Sequence, residues 1–112
     1  MNPEPIVQKQ LETYNARDLA GFVSTYTADV ELYNFPDDEP FVRGIEALEA
    51  VYKDIFDNSP NLHANIETRI VFNNKVIDHE KVTGRKGVDL IEIVAIYEVT
   101  DGLIARVTFM RK

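Results

Sequence analysis

The chain has 112 residues, which is enough for one domain with a single hydrophobic core. It contains no cysteine, which excludes disulfides and thiolate metal sites, and its formal net charge of −7 disfavours nucleic-acid binding. No apolar run approaches the roughly 20 residues that span a bilayer, and the N-terminal segment lacks a signal-peptide pattern. We therefore expect a cytoplasmic protein that contacts neither nucleic acid nor membrane.

The first half of the chain is predicted to be mainly helical. Asn2 can cap a first helix that Pro3 opens, and Asp18 fits the N-cap of a second, short helix. Residues 29–35 alternate between polar and apolar and predict a strand. After Gly44 the apolar residues return to helical spacing, which predicts a third helix ending at 58–60.

The second half is predicted to consist of strands. Residues 62–72 alternate, and Asn73-Asn74 suits a two-residue hairpin turn because asparagine tolerates positive φ. The return strand is VIDHEKVTG, residues 76–84, followed by strands at 90–99 and 103–111 that a turn at Thr100-Asp101-Gly102 connects. Three helices, one early strand and a four-stranded meander are typical of an α+β fold.

The return strand carries three ionisable residues side by side, Asp78, His79 and Glu80. Successive strand residues point to opposite faces, so His79 cannot share a face with its neighbours. The two-residue turn places Arg69 opposite Asp78 and Glu67 opposite Glu80. Burying the face that carries these four charged residues would cost roughly several kcal/mol per ion. This cost favours the opposite arrangement, in which His79 faces the interior. A polar pocket built from Arg69, Asp78 and Glu80 remains the alternative.

Two segments carry a family resemblance: LETYNARDLAGFVSTYTADVELYNF in the first half, and a meander that ends in YEVTDGLIARV. The chain resembles the NTF2-like superfamily over essentially its whole length, and within it the SnoaL-like, steroid-isomerase-like branch. The resemblance implies a cone of three helices on a curved mixed β-sheet, with an apolar pocket open at one end. It also implies a homodimer formed through the outer face of the sheet.

The ketosteroid isomerase of this branch matches the chain only in part. Its aspartate base corresponds to Asn34, its oxyanion-hole tyrosine to Gln10 and its protonated aspartate to Ala95. Two supporting pocket tyrosines do match, at Tyr26 and Tyr52. Proton abstraction next to a carbonyl needs a carboxylate base and an oxyanion donor, so the resemblance does not imply isomerase activity by the known mechanism.

These observations select a set of candidate site residues. His79 is the candidate acid–base group if it faces the pocket, and its alternative role is a hydrogen-bonded core histidine. The candidate ligand-binding residues are Tyr26, Tyr52, Tyr97, Phe109 and Asn34. Tyr14 and Tyr33 are interpreted as core packing.

The expected ligand is a small apolar molecule, such as a hydrophobic carbonyl or polycyclic compound, with no metal and no cofactor. The alternative is a non-catalytic ligand-binding or dimerisation module. The apolar second face of strand 90–99, which carries Leu90, Val94 and Ile96, independently favours a homodimer.

Overall fold

The computed structural model describes residues 2–112, in which three helices pack on one mixed six-stranded sheet. The helices are α1 (Glu4–Asn15), α2 (Leu19–Val23) and α3 (Ile45–Asn58). The strands are β1 (Tyr26–Asn34), β2 (Val42–Arg43), β3 (His63–Phe72), β4 (Lys75–Thr83), β5 (Leu90–Thr100) and β6 (Leu103–Arg111). Their order in the sheet is β2-β1-β6-β5-β4-β3, with β1 parallel to β6 and the other neighbours antiparallel. The predicted α+β fold is confirmed.

Short polar side chains fix the beginnings of the first two helices. The side-chain oxygen of Asn2 accepts a hydrogen bond from the backbone N–H of Glu4 at 3.0 Å. Asp18 is the N-cap of α2 and accepts from the backbone N–H of Gly21, also at 3.0 Å. These bonds satisfy amide groups that have no partner within the helix. Helix α3 follows Gly44, whose φ of 88° suits glycine.

The β3–β4 hairpin contains a bulge that the alternation of polar and apolar residues does not reveal. Arg69 pairs with Asp78 as predicted, but Ile66 rather than Glu67 pairs with Glu80. The register shifts between Ile66 and Thr68, so two β3 residues oppose one β4 residue there. Because of this extra residue, the side chains of Ile66 and Arg69 are on the same face of the sheet as those of Glu80 and Asp78, their partners on β4.

The inner face of the sheet is the face that packs against the helices. Along β4, Val76, Asp78, Glu80 and Val82 are all buried, while the residues between them are partly exposed. The prediction that His79 faces the interior is therefore wrong. The alternative, with Asp78 and Glu80 inside, is the observed arrangement.

An aromatic cluster joins the helices above the inner face. Phe22 of α2 lies between Tyr14 of α1 and Tyr52 of α3, with ring centroids 6.0 Å and 4.6 Å away. Phe56 packs edge-on against Tyr14 and Phe22 at 5.6 and 5.5 Å. The cluster holds three helices together on one side of the space that they enclose with the sheet. Among residues 2–112, no helix has the length and apolar character needed to cross a bilayer.

Candidate functional site

A cavity of about 70 Å³ lies between the helices and the inner face of the sheet. It combines an apolar wall with a few polar groups, the usual composition of a small-molecule site. The helices contribute Gln10, Leu11, Tyr14, Tyr52 and Ile55, and β1 contributes Tyr26. The other lining residues come from β3 to β6 and one loop: Ala64, Glu80, Val82, Arg85, Ile91, Ile93, Tyr97, Phe109 and Arg111.

Glu80 places a carboxyl group in this cavity. Its residue surface is 7% exposed, and its Oε2 accepts a hydrogen bond from the hydroxyl of Tyr97 at 3.1 Å. Burial raises the pKa of Glu80 to about 7, and the negative charge of Asp78 adds to the rise. The Tyr97 hydrogen bond and the positive charge of Arg69 oppose it. The carboxyl can therefore take up or release a proton near neutral pH.

Four tyrosines surround the cavity and remain protonated donors. Burial raises the pKa of Tyr52 to about 12 and shifts the pKa values of Tyr14, Tyr26 and Tyr97 above their usual range. The charge of Glu80 contributes to the rise in each. The hydroxyls of Tyr14, Tyr26 and Tyr52 can therefore donate a hydrogen bond to a carbonyl or an oxyanion at neutral pH, whereas that of Tyr97 donates to Glu80.

Arg69 and Asp78 form a buried ion pair beside Glu80 but outside the cavity lining. The Nε and Nη2 of Arg69 donate to the two carboxylate oxygens of Asp78 at 2.7 and 2.9 Å, and its Nη1 donates to Gln8 at 2.8 Å. The side chains are 14% and 2% exposed. A bidentate pair with a further acceptor offsets the cost of burying both charges. Its role is to fasten β3 and β4 to α1.

Two of the lining residues are arginines that reach the protein surface, so they mark the side on which the cavity opens. Arg111 ends β6, and its guanidinium lies 5.2 Å from the ring centre of Phe109 and 5.8 Å from that of Phe41. Its Nε donates to the side-chain oxygen of Asn34 at 2.7 Å. Arg85 belongs to the loop between β4 and β5 and is half-buried. Both positive charges lower the pKa of Tyr52 against the effect of burial.

A model of the SnoaL-like domain matches residues 7–107. The chain belongs to the SnoaL-like family. No curated protein matches the sequence significantly. The family match confirms the resemblance that the two sequence segments carry.

Solved structures of the NTF2-like and cystatin-like fold resemble this SnoaL-like chain. An uncharacterised cystatin-fold protein from Novosphingobium aromaticivorans is 26% identical, with 99% of each chain covered and a TM-score of 0.90. A Kribbella flavida protein provisionally assigned as a ketosteroid isomerase is 18% identical, with 98% of this chain and 77% of that one covered and a TM-score of 0.83. A Sinorhizobium meliloti protein provisionally assigned as a polyketide cyclase is 19% identical, with 94% and 93% covered and a TM-score of 0.79. The last two likenesses show the fold alone.

In this SnoaL-like chain, four of the candidate ligand-binding residues line the cavity. These are Tyr26, Tyr52, Tyr97 and Phe109. Asn34 does not line it but holds Arg111, which does. Tyr14, interpreted from the sequence as core packing, both packs against Phe56 and lines the cavity.

His79 lies on the outer face of the sheet, away from the cavity. Its side chain is 38% exposed, and its Nε2 lies 2.7 Å from Oε2 of Glu92 on β5. Lys112 and His79 hold the pKa of Glu92 at about 2. His79 can lie outside because burying Arg69, Asp78 and Glu80 together costs less free energy than burying three isolated charges would. Asp78 is paired with Arg69, and Glu80 can be buried as a neutral acid.

Sequence reasoning names Glu80 only in its alternative, the polar pocket with Arg69 and Asp78, and it does not select Arg85 or Arg111. A signal for Glu80 exists in the strand itself, because Asp78 and Glu80 share their parity with Val76 and Val82. The opposite parity holds Lys75, Ile77, His79 and Lys81, a set better suited to the surface. For the two arginines the sequence offers no signal. Within residues 2–112, no three His, Asp or Glu side chains form a group that could hold a metal ion.

Proposed function

We propose that this SnoaL-like protein binds a small carbonyl compound in the cavity and that Glu80 acts there as a general base. The observation that carries the proposal is a buried carboxyl with a pKa of about 7, facing a cavity lined by tyrosine hydroxyls. A general base is most effective when its pKa is near the working pH. The ketosteroid isomerase positions, Asn34 and Ala95, carry no carboxyl, so the base comes from a different strand.

The chemistry needs no group beyond those of the cavity. The Glu80 carboxylate takes a proton from the carbon next to the carbonyl, and the electron pair of the broken C–H bond forms the carbon–carbon double bond of an enolate. The carbonyl π electrons move to oxygen, which accepts a hydrogen bond from a tyrosine hydroxyl. The protonated Glu80 then returns the proton to the same carbon or to another one. The net reaction is a proton exchange or an isomerisation.

The size of the cavity favours a small ligand over a polycyclic one. Its volume is about 70 Å³, whereas sites for drug-sized molecules enclose roughly 300 Å³ or more. A dry cavity of about 150 Å³ accepts benzene. The cavity therefore suits a compound of roughly three to five carbons whose polar end reaches the opening.

Hydrogen–deuterium exchange at carbon tests this function. Small ketones and oxo acids are incubated with the protein in D2O, and the loss of proton signal next to the carbonyl is followed by NMR. We expect exchange to be faster than in buffer, and Glu80→Gln to slow it by about a hundredfold or more. Glu49→Gln, on the exposed side of α3, is the matched control. Equal rates for the wild type and Glu80→Gln would contradict the proposal, and binding without exchange would leave a non-catalytic binding site.

We also propose that two copies of the chain form a homodimer through the outer face of the sheet. Ile70 and Met110 are 53% and 37% exposed, and Ile77, Val94 and Ile96 lie between them on neighbouring strands. Ile70, Ile77 and Ile96 are directly paired across β3, β4 and β5. A contiguous apolar face of this kind is typical of a protein–protein interface. Val94 and Ile96 of this face also belong to the apolar second face that the sequence predicts for β5.

A further inference from the structure

The positive opening of the cavity limits which small molecules the site accepts. The chain has 19 acidic and 12 basic side chains, so most of its surface repels anions. Even so, three charged side chains line the cavity, Glu80, Arg85 and Arg111, and only the two arginines reach the protein surface, where the cavity must open. Such a local reversal of charge attracts anions to the opening.

Neither guanidinium is neutralised by the protein. Within residues 2–112, no carboxylate lies within 4.0 Å of Arg85 or Arg111. Eight other pairs of a basic and an acidic side chain do lie within this distance, and their basic members are Arg43, Lys53, Arg69, His79, Lys81 and Lys112. Arg111 donates its Nε to Asn34, which leaves both terminal nitrogens for another acceptor. Stacking on Phe109 and Phe41 also fixes the plane of this guanidinium.

The sheet register relates this opening to the buried carboxyl. Glu80 on β4, Ile93 on β5 and Arg111 on β6 are paired across three neighbouring strands, all on the inner face. Two strand spacings separate Glu80 from Arg111, which is about 10 Å between their backbones. Their side chains both line the cavity, so one small molecule can contact the two ends of this row.

We propose that the ligand is a small oxocarboxylate, whose carboxylate binds between Arg85 and Arg111 while its carbonyl end enters the cavity toward Glu80. This inference rests on the proposed function, since it names the substrate class of the same site. An arginine fork matches the geometry of a carboxylate, and charge-assisted hydrogen bonds are the stronger kind. The tyrosine hydroxyls inside the cavity then contact the carbonyl oxygen.

Binding of levulinate and of its neutral amide, levulinamide, tests the inference. The two probes share the ketone and the carbon chain and differ in the carboxylate. We expect levulinate to bind the wild type at least about tenfold more tightly than levulinamide, measured by calorimetry or NMR titration. Arg85→Gln and Arg111→Gln should each reduce this preference, and the double variant should abolish it. Arg43→Gln, which removes the same charge from an exposed site, should leave it unchanged.

Several outcomes overturn the inference: equal affinity for the two probes, an unchanged preference in the double variant, or no levulinate binding at millimolar concentration. Carbon-bound deuterium exchange separates this inference from the proposed function. If levulinate binds preferentially but Glu80→Gln leaves exchange unchanged, the general-base function fails and the carboxylate site stands. If levulinamide exchanges as fast as levulinate and binds as tightly, the function stands and the carboxylate site fails.

Discussion

The hydroxyl of Tyr97 donates a hydrogen bond over 3.1 Å to Oε2 of Glu80, and both side chains are buried on the inner face of the sheet. The two residues are on adjacent strands but not directly opposite, because Tyr97 pairs with Val76 and Glu80 pairs with Ile93. Tyr97 reaches along the sheet past Ala95, which pairs with Asp78 and is too small to block the approach. The small side chain of Ala95 therefore permits this hydrogen bond, since a larger one would occupy the space between the Tyr97 hydroxyl and the Glu80 carboxyl.

Burial of Glu80 makes stability depend on pH. Its pKa is about 7 in the folded protein against 4.5 in the reference state, so between these values the folded chain holds a proton that the unfolded chain has lost. This contribution is fully present below about pH 4.5 and is lost as the pH rises through 7. Glu80→Gln cannot ionise, so it should gain roughly 3 kcal/mol relative to the wild type between pH 4.5 and pH 8. Urea unfolding of both proteins across this range measures the difference, and a constant difference would contradict the raised pKa.

The Arg69–Asp78 pair should be far more important for stability than the exposed ion pairs. Arg69→Met leaves the carboxylate of Asp78 buried without its partner, and we expect a loss of about 3–5 kcal/mol in the free energy of unfolding. Arg43→Gln breaks an exposed pair with Glu31 and should cost less than about 1 kcal/mol. Chemical denaturation compares the two, and similar small losses would show that the buried pair is not a fastening point.

Gly84 fixes the start of the loop that carries Arg85. Its φ is +77°, and a Cβ at this position would overlap the backbone carbonyl of Asn61. Gly87 has a similar φ of +82°, but a Cβ there meets no atom within 4 Å. Gly84→Ala should therefore destabilise the protein well beyond the roughly 1 kcal/mol of backbone strain expected for Gly87→Ala. Thermal unfolding measures both, and equal effects would contradict the close approach to Asn61.

If the proposed dimer forms, a charge introduced on the outer face of the sheet should disrupt it, whereas a charge introduced on α3 should not. Ile96→Asp places a charge in the middle of the outer sheet face and should shift the protein from dimer to monomer in sedimentation experiments. Val51→Asp on α3, which is 38% exposed, is the matched control and should leave the dimer intact. A wild-type protein that sediments as a monomer at micromolar concentration would contradict the proposal.

Local patterns in the sequence predict the fold well because they act over short distances. Asp18 caps α2 and α3 ends at Asn58, as capping and periodicity predict. The two-residue β2 at Val42–Arg43 is too short to show any alternation and is not predicted. The family resemblance adds the sheet curvature and the central cavity that local patterns cannot supply.

The candidate site is predicted only in part, because it depends on pairing between distant residues. The four aromatic candidates line the cavity since apolar side chains seek the interior whatever their partners. The choice between His79 and Glu80 depends on whether Asp78 meets a bidentate arginine, which requires the β3–β4 register and the position of α1. The bulge near Glu67 also changes which β3 residues face inward, and alternation alone does not locate it.

The most direct test of the central claim is the pKa of the Glu80 carboxyl, followed by NMR of a 13C-labelled side chain over a pH titration. The account predicts a midpoint of about 7 in the wild type. It also predicts a higher midpoint in Tyr97→Phe, which loses the hydrogen bond that favours the charged form, and no change in Tyr33→Phe on the outer face. A wild-type midpoint near 4.5, the ordinary value for glutamate, would contradict the account.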